Sequence, residues 1–153
     1  MARAYEILAA KRAGERLSED QIRSVVRGAT DGSWSDGQLG AFLMAAVNRG
    51  LDRTETRALT EAIVESGERW RLDRSVPHLC DKHSTGGVGD KVSLLLTPIL
   101  AACGLPVAML TGRGLAHTGG TADKLETIPG LDLALDRSRT LELLEKTGMA
   151  IGI

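Results

Sequence analysis

Aromatic side chains are almost missing from this 153-residue sequence: two Trp, one Tyr and one Phe, 3% in all. That scarcity excludes a base-stacking platform or an aromatic sugar shelf. An excess of either charge is missing too, with 19 basic residues against 20 acidic ones and a formal net charge of −1. No global positive field draws in a polyphosphate, so no nucleic-acid partner is expected. The two cysteines, Cys80 and Cys103, sit in neither a CxxC nor a Cys/His metal spacing. They read as small packed residues of a protein in the reducing cytoplasm, with no disulfide framework, no metal and no cofactor expected. No apolar run approaches the ~20 residues of a membrane span. The opening "MARAYEILAAKRAGERLS" scatters charge through its apolar positions and reads as an amphipathic helix, not a signal peptide. What is present, 42% hydrophobic and 25% charged residues, is the composition of a globular domain long enough to bury a core.

The first 67 residues carry helix start signals. "SEDQ" (Ser18 to Gln21) and "SDGQ" (Ser35 to Gln38) fit the capping box, in which a hydroxyl and a Gln three residues on satisfy orphan backbone donors. "DRTE" (Asp52 to Glu55) is a looser version. Apolar positions after Ser35 (Leu39, Phe42, Leu43, Ala46, Val47) recur at helical spacing. Four helices are predicted, over 2–13, 19–29, 36–48 and 54–65, with Gly50 and Gly67 as C-terminal caps. No catalytic cluster lies among them.

The pattern changes near "ERWRLDRSVPHLC". Val76 to Cys80 and Pro106 to Leu110 read as strands, and Val92 to Cys103 as a helix with Pro98 a kink. A further helix follows over 138–147, and a third strand begins at "MAIGI" (Met149 to Ile153). This β-α-β-α-β order is that of a parallel sheet with covering helices. The expected architecture is a helical domain over 1–67, a linker over 68–76 and an α/β domain over 77–153. A parallel strand is normally buried at the centre of a sheet, so the α/β domain is expected to be incomplete.

Nine of the 18 glycines fall between residues 82 and 130, most of them in two turns, "KHSTGGVGDKVS" and "TGRGLAHTGGTADKLE". Each follows a predicted strand and leads to a helix, which is where α/β sheets bind ligands. Glycine lets backbone N–H groups point at an anion, a helix start adds partial positive charge, and lysine and hydroxyls complete a phosphate-sized cradle. Neither turn is a known nucleotide loop. A Walker A motif fails because Asp90 stands at its final glycine, and a GxGxxG fingerprint lacks its last glycine after Gly89. Glycine turns also serve tight geometry alone, and a lone histidine is often structural. Among the polar residues, Lys82 and Ser84 at a strand end are the better ligand candidates. Lys91 reads as a solvated first-turn lysine and His117 as structural. Asp123 and Glu126 open a charged helix and are placed to hold Lys124 or Arg113.

The second turn resembles the signature of the thymidine and pyrimidine-nucleoside phosphorylase family: S-G-R-G-L, two variable residues, T-G-G-T, a variable residue, D-K, a variable residue, E. Here it reads "TGRGLAHTGGTADKLE" (Thr111 to Glu126), with Thr111 in place of serine. "DKHSTGGVGDKVS" is similar to the family's first phosphate loop, and "AAKRAG" and "LSEDQI" fit its helical start. The resemblance implies cleavage of a pyrimidine nucleoside by inorganic phosphate to free base and pentose 1-phosphate. It implies phosphate held by Lys82, Ser84, Ser93, Thr111 and Thr121 on turns built from Gly86, Gly87, Gly89, Gly119 and Gly120. It gives His83 a proton to manage at the base, and it implies a homodimer joined through the helical domain. Two departures matter. Some members hold a monovalent cation with a threonine where this chain has Lys91, whose ammonium would repel or replace the ion. The family's pyrimidine-gripping arginine, serine and lysine lie beyond residue 153. The chain is therefore expected to supply the phosphate half of a site and to be poorly active alone. An anthranilate phosphoribosyltransferase relative and an inactive remnant that binds phosphate or a partner are the alternatives.

Overall fold

The computed structural model describes residues 3–84, 88–114 and 117–153. The chain divides into two compact units, Met1–Arg69 and Trp70–Ile153.

The first unit consists of four helices: α1 (Ala4–Ala13), α2 (Glu19–Asp31), α3 (Asp36–Arg49) and α4 (Arg53–Ser66). Their starts are fixed by the side chains the sequence offers. Gln21 Oε1 accepts from the Ser18 amide at 2.8 Å while Ser18 Oγ accepts from the Gln21 amide. Ser35 and Gln38 repeat the exchange, and Asp52 and Glu55 make a third. Each exchange satisfies donors that a helix start leaves orphaned. Gly50 ends α3 in the left-handed region at φ 74, whereas Gly67 ends α4 in extended backbone and is no left-handed cap. The core comprises Ile7, Leu17, Ile22, Val25, Trp34, Phe42 and Ala58. Gly28 is required there, because a Cβ would stand 2.0 Å from the Trp34 ring. Inside this apolar shell Lys11 and Glu55 form an ion pair at 2.8 Å, with side chains 4% and 3% exposed.

The second unit has α5 (Val92–Ala102), β1 (Val107–Leu110), α6 (Thr121–Leu125), α7 (Arg137–Thr147) and β2 (Met149–Gly152). β1 and β2 pair in parallel, Val107 opposite Met149 and Leu110 opposite Gly152. The expected strand over Val76 to Cys80 does not form. A 3-10 turn occupies Leu72–Arg74, Pro77 has no amide to donate, and His78 adopts φ 58, outside the strand region. Only Cys80 remains as a parallel bridge to Val107. Its amide donates to the Pro106 carbonyl and its carbonyl accepts from the Ala108 amide, while the Val107 amide donates to Gly148. Alternate residues of β1 thus bond to opposite neighbours, and β1 lies between Cys80 and β2. Leu94 and Ile151 pack against Ala122, Leu125 and Leu133 to form the core of this unit. Cys103 is exposed and Cys80 half-buried; both are free thiols, so the expected packing does not hold for Cys103, which ends α5 at the surface.

Candidate functional site

Parallel pairing brings the C-terminal ends of two neighbouring chain segments side by side. Lys82 follows the Cys80 bridge and Thr111 follows β1. The two glycine turns leave from these ends and line one cavity of about 240 Å³. Lys82, His83, Ser84, Val88 and Asp90 come from the first turn; Thr111, Gly112, Arg113, Thr118, Gly119, Gly120 and Thr121 come from the second. The second turn folds back on itself closely. A Cβ on Gly120 would stand 2.3 Å from the Gly112 carbonyl oxygen and 2.6 Å from the Arg113 carbonyl carbon. The Ala122 amide also donates to Gly112 O, and the Gly120 amide donates to Asp123 Oδ2 at 2.7 Å, which starts α6.

Asp90 organises the cavity wall. Its side chain is 8% exposed and faces Lys82 Nζ, 2.8 Å from Oδ1. Lys82 Nζ also donates to Ser93 Oγ at 2.7 Å, Ser93 Oγ donates to Asp90 Oδ2 at 2.5 Å, and Thr121 Oγ1 donates to the same oxygen at 2.9 Å. The Ser93 amide donates to Oδ1 at 3.2 Å, so Asp90 also caps α5. Burial alone would push this carboxyl up; hydrogen bonds from Lys82, Ser93 and Thr121 outweigh it and hold the group well below the usual carboxylate range.

The candidate residues separate by position. Lys82, His83, Ser84, Thr111, Thr121, Gly119 and Gly120 line the cavity. Ser93 is absent from that lining: it is fully buried and hydrogen-bonds Lys82 and Asp90. Gly89 lies beside Lys91 and Lys124, and Gly86 and Gly87 lie outside the described residues. His117 is exposed and off the cavity lining. His83 Nδ1 is 2.5 Å from the Ser84 carbonyl oxygen. A carbonyl only accepts, so Nδ1 carries the proton of this hydrogen bond. Glu126 pairs with Arg113, as the sequence suggests, whereas Lys124 is held by the Gly119 and Gly120 carbonyls rather than by a carboxylate. In the sequence, Asp90 stands out only as a misfit to Walker A. The signal that finds it is an acid three residues before a serine in the first turn of a helix. Among the described residues no group of three or more His, Cys, Asp or Glu side chains could hold a metal ion, and no helix is long and apolar enough to cross a membrane.

The comparison with protein families fits both units. Residues 5–67 match the helical bundle domain of a glycosyl transferase family, and residues 76–153 match its a/b domain. The chain belongs to this glycosyl transferase family. Within it, the chain is 50% identical over 147 residues to thymidine phosphorylase of Rattus norvegicus, covering 95% of this chain and 31% of that one. It is 50% identical to the Homo sapiens thymidine phosphorylase and 49% to that of Rhizobium meliloti, with 30% and 33% of those chains covered. This chain thus spans about a third of the length of the curated relatives it matches. Anthranilate phosphoribosyltransferase from Thermus thermophilus superimposes with a TM-score of 0.75 at 29% identity, over 95% of this chain and 44% of that one. A helical unit followed by a small parallel α/β unit is the architecture of this glycosyl transferase family.

Proposed function

We propose that this chain supplies the phosphate half of a pyrimidine-nucleoside phosphorylase, a pentosyltransferase acting on thymidine, uridine or deoxyuridine. The observation that carries the reading is the meeting of Lys82, His83 and Ser84 with Thr111, Gly119, Gly120 and Thr121 around one cavity. Similarity to thymidine phosphorylases along 95% of the chain supports it. In the reaction a phosphate oxygen bonds to the anomeric carbon, the bond from that carbon to the ring nitrogen breaks, and the electron pair leaves with the base. Positive charge builds at the carbon and negative charge on the base. A held phosphate is both nucleophile and counter-charge, so orientation and electrostatics do most of the catalysis. Lys82 spends two of its three N–H groups on Asp90 and Ser93, and the third is assigned to phosphate. With its ring protonated on both nitrogens, His83 is assigned to donate the Nε2 proton to the departing base while Nδ1–H stays on the Ser84 carbonyl.

No cofactor enters this scheme. Lys91 Nζ and Lys124 Nζ stand 3.6 and 3.9 Å from the Cβ position of Gly89, which supports ammonium groups serving where a relative would use a monovalent cation. A homodimer is assigned to the helical unit, where Tyr5, Met44 and Asn48 line a groove of about 450 Å³ between α1 and α3.

The test is release of free pyrimidine from thymidine or uridine, by this chain alone and after addition of the C-terminal segment of a thymidine phosphorylase. Phosphate-dependent release on addition is the expected result. Turnover of phosphoribosyl diphosphate with anthranilate instead would favour the second reading, which the fold similarity to the Thermus enzyme supports.

A further inference from the structure

We propose that the cavity selects an oxyanion that carries its own proton, hydrogen phosphate over sulfate, and that Asp90 and Thr121 together read that proton. The inference rests on the phosphate reading above and narrows it.

Donors and acceptors decide the preference. An ammonium only donates, an ionised carboxylate only accepts, and a hydroxyl has one proton. Ser93 Oγ lies between Lys82 Nζ and Asp90 Oδ2, so it accepts from the first and donates to the second. Thr121 Oγ1 has its proton on Asp90 Oδ2. The carboxylate then holds four hydrogen bonds, from Lys82 Nζ, the Ser93 amide and the two hydroxyls, which fill its acceptor positions. Those same bonds keep it ionised.

Thr121 lines the cavity with its hydroxyl proton already committed, so it offers a lone pair to a ligand. Lys82 offers a donor. The wall therefore has a donor edge and an acceptor edge. Sulfate brings only lone pairs and meets Thr121 acceptor to acceptor, or else draws the Thr121 proton away and leaves a buried carboxylate short of a partner. Hydrogen phosphate donates its proton to Thr121 Oγ1 and presents its other oxygens to Lys82. At about pH 8 the two anions have the same charge and similar size, so Coulombic attraction cancels in the comparison.

Asp90 also caps α5 through the Ser93 amide, and a purely structural role has to be separated from this one. Asn caps a helix as well as Asp does. In Asp90→Asn the cap persists while the amide cannot hold both hydroxyl protons, which frees the Thr121 proton for the anion. Thr121→Val removes the lone pair and leaves the cap untouched.

The experiment is calorimetric titration of the 153-residue chain with inorganic phosphate, arsenate and sulfate, with thermal unfolding as the control for fold. Wild type is expected to bind phosphate and arsenate alike and sulfate roughly tenfold or more weakly, the size of one charge-assisted hydrogen bond. Both variants are expected to bring phosphate and sulfate to within about threefold of each other. Equal binding of phosphate and sulfate by wild type overturns the inference while leaving an anion site. A preference that survives in both variants overturns the assignment to Asp90 and Thr121. No binding of any of the three overturns the phosphate reading itself. If Asp90→Asn does not fold, Thr121→Val decides the point alone.

Discussion

Lys82 Nζ sits 2.8 Å from Asp90 Oδ1, and the two side chains are 22% and 8% exposed. This pair links the segment after Cys80 to the start of α5, and through Thr121 it reaches α6. Replacing Lys82 by Met leaves a largely buried carboxylate with one strong donor fewer. The cost is expected at about 1–3 kcal/mol, towards the low end because Lys82 is partly solvated. Phosphate affinity should fall at least roughly tenfold. Urea unfolding measures the first effect and calorimetric titration the second.

Gly120 has φ −73, which any residue adopts, so its requirement is space. Gly120→Ala places a methyl against the Gly112–Arg113 backbone, which cannot swing aside as a side-chain tip can. The second turn must open. Overpacking of this kind costs about 1–3 kcal/mol, and phosphate binding should be lost. Gly119→Ala meets only the Asp123 side chain, at 3.9 Å, and is expected to unfold at nearly the wild-type urea concentration.

In the helical unit Glu55 Oε1 accepts from Lys11 Nζ and from the Leu17 amide, and Oε2 accepts from the Asp52 amide. Burial raises the Glu55 pKa, but these bonds outweigh it and the net shift is downward from 4.5. A depressed carboxylate contributes stability that is fully present above about 4.5 and drains away as the pH falls through the folded value. The helical unit is therefore expected to lose thermal stability on acidification below that point, and Glu55→Gln should flatten the dependence. Lys11→Met should cost about 3 kcal/mol, and Glu55→Ala more, because it strands three donors instead of one acceptor. Circular dichroism melts across this pH range check both.

Leu43, Met44 and Val47 are 61, 60 and 79% exposed on α3, and Tyr5 is 74% exposed on α1. If a second copy covers them, Met44→Glu with Val47→Glu should yield a monomer in light scattering without lowering the melting temperature of the unit. A wild-type chain that stays monomeric at high concentration contradicts the assigned dimer.

Much of this architecture is legible in the sequence because it is written in local signals. Ser18, Ser35 and Asp52 name their own helix starts, and the apolar spacing from Leu39 to Val47 fixes α3. The segment before Cys80 mimics a strand because its apolar composition hides the effects of Pro77 and the left-handed His78. In the site, Lys82 and Ser84 are reachable from their places at a strand end beside the first glycine turn, while Thr111 and Thr121 come from the family resemblance of the second turn. Ser93 is named by the resemblance alone, and spacing along a chain does not tell a cavity wall from the layer behind it; in the structure Ser93 has zero exposure. Asp90 escapes notice for a related reason. An acid in a supposed anion site looks like an obstacle until its four donors, from three separate segments, are seen together.

The central claim is that the two glycine turns form one phosphate site, and amide chemical shifts test it most directly. Inorganic phosphate is titrated into the 15N-labelled chain and the perturbed backbone resonances are mapped. The account predicts saturable shifts in both turns at once, at Lys82 to Ser84 and at Thr111 to Gly112 and Gly119 to Thr121, with one shared dissociation constant and with the helices of residues 4–66 unmoved. Shifts confined to one turn, two different dissociation constants, or a response centred on other lysines and arginines would contradict it.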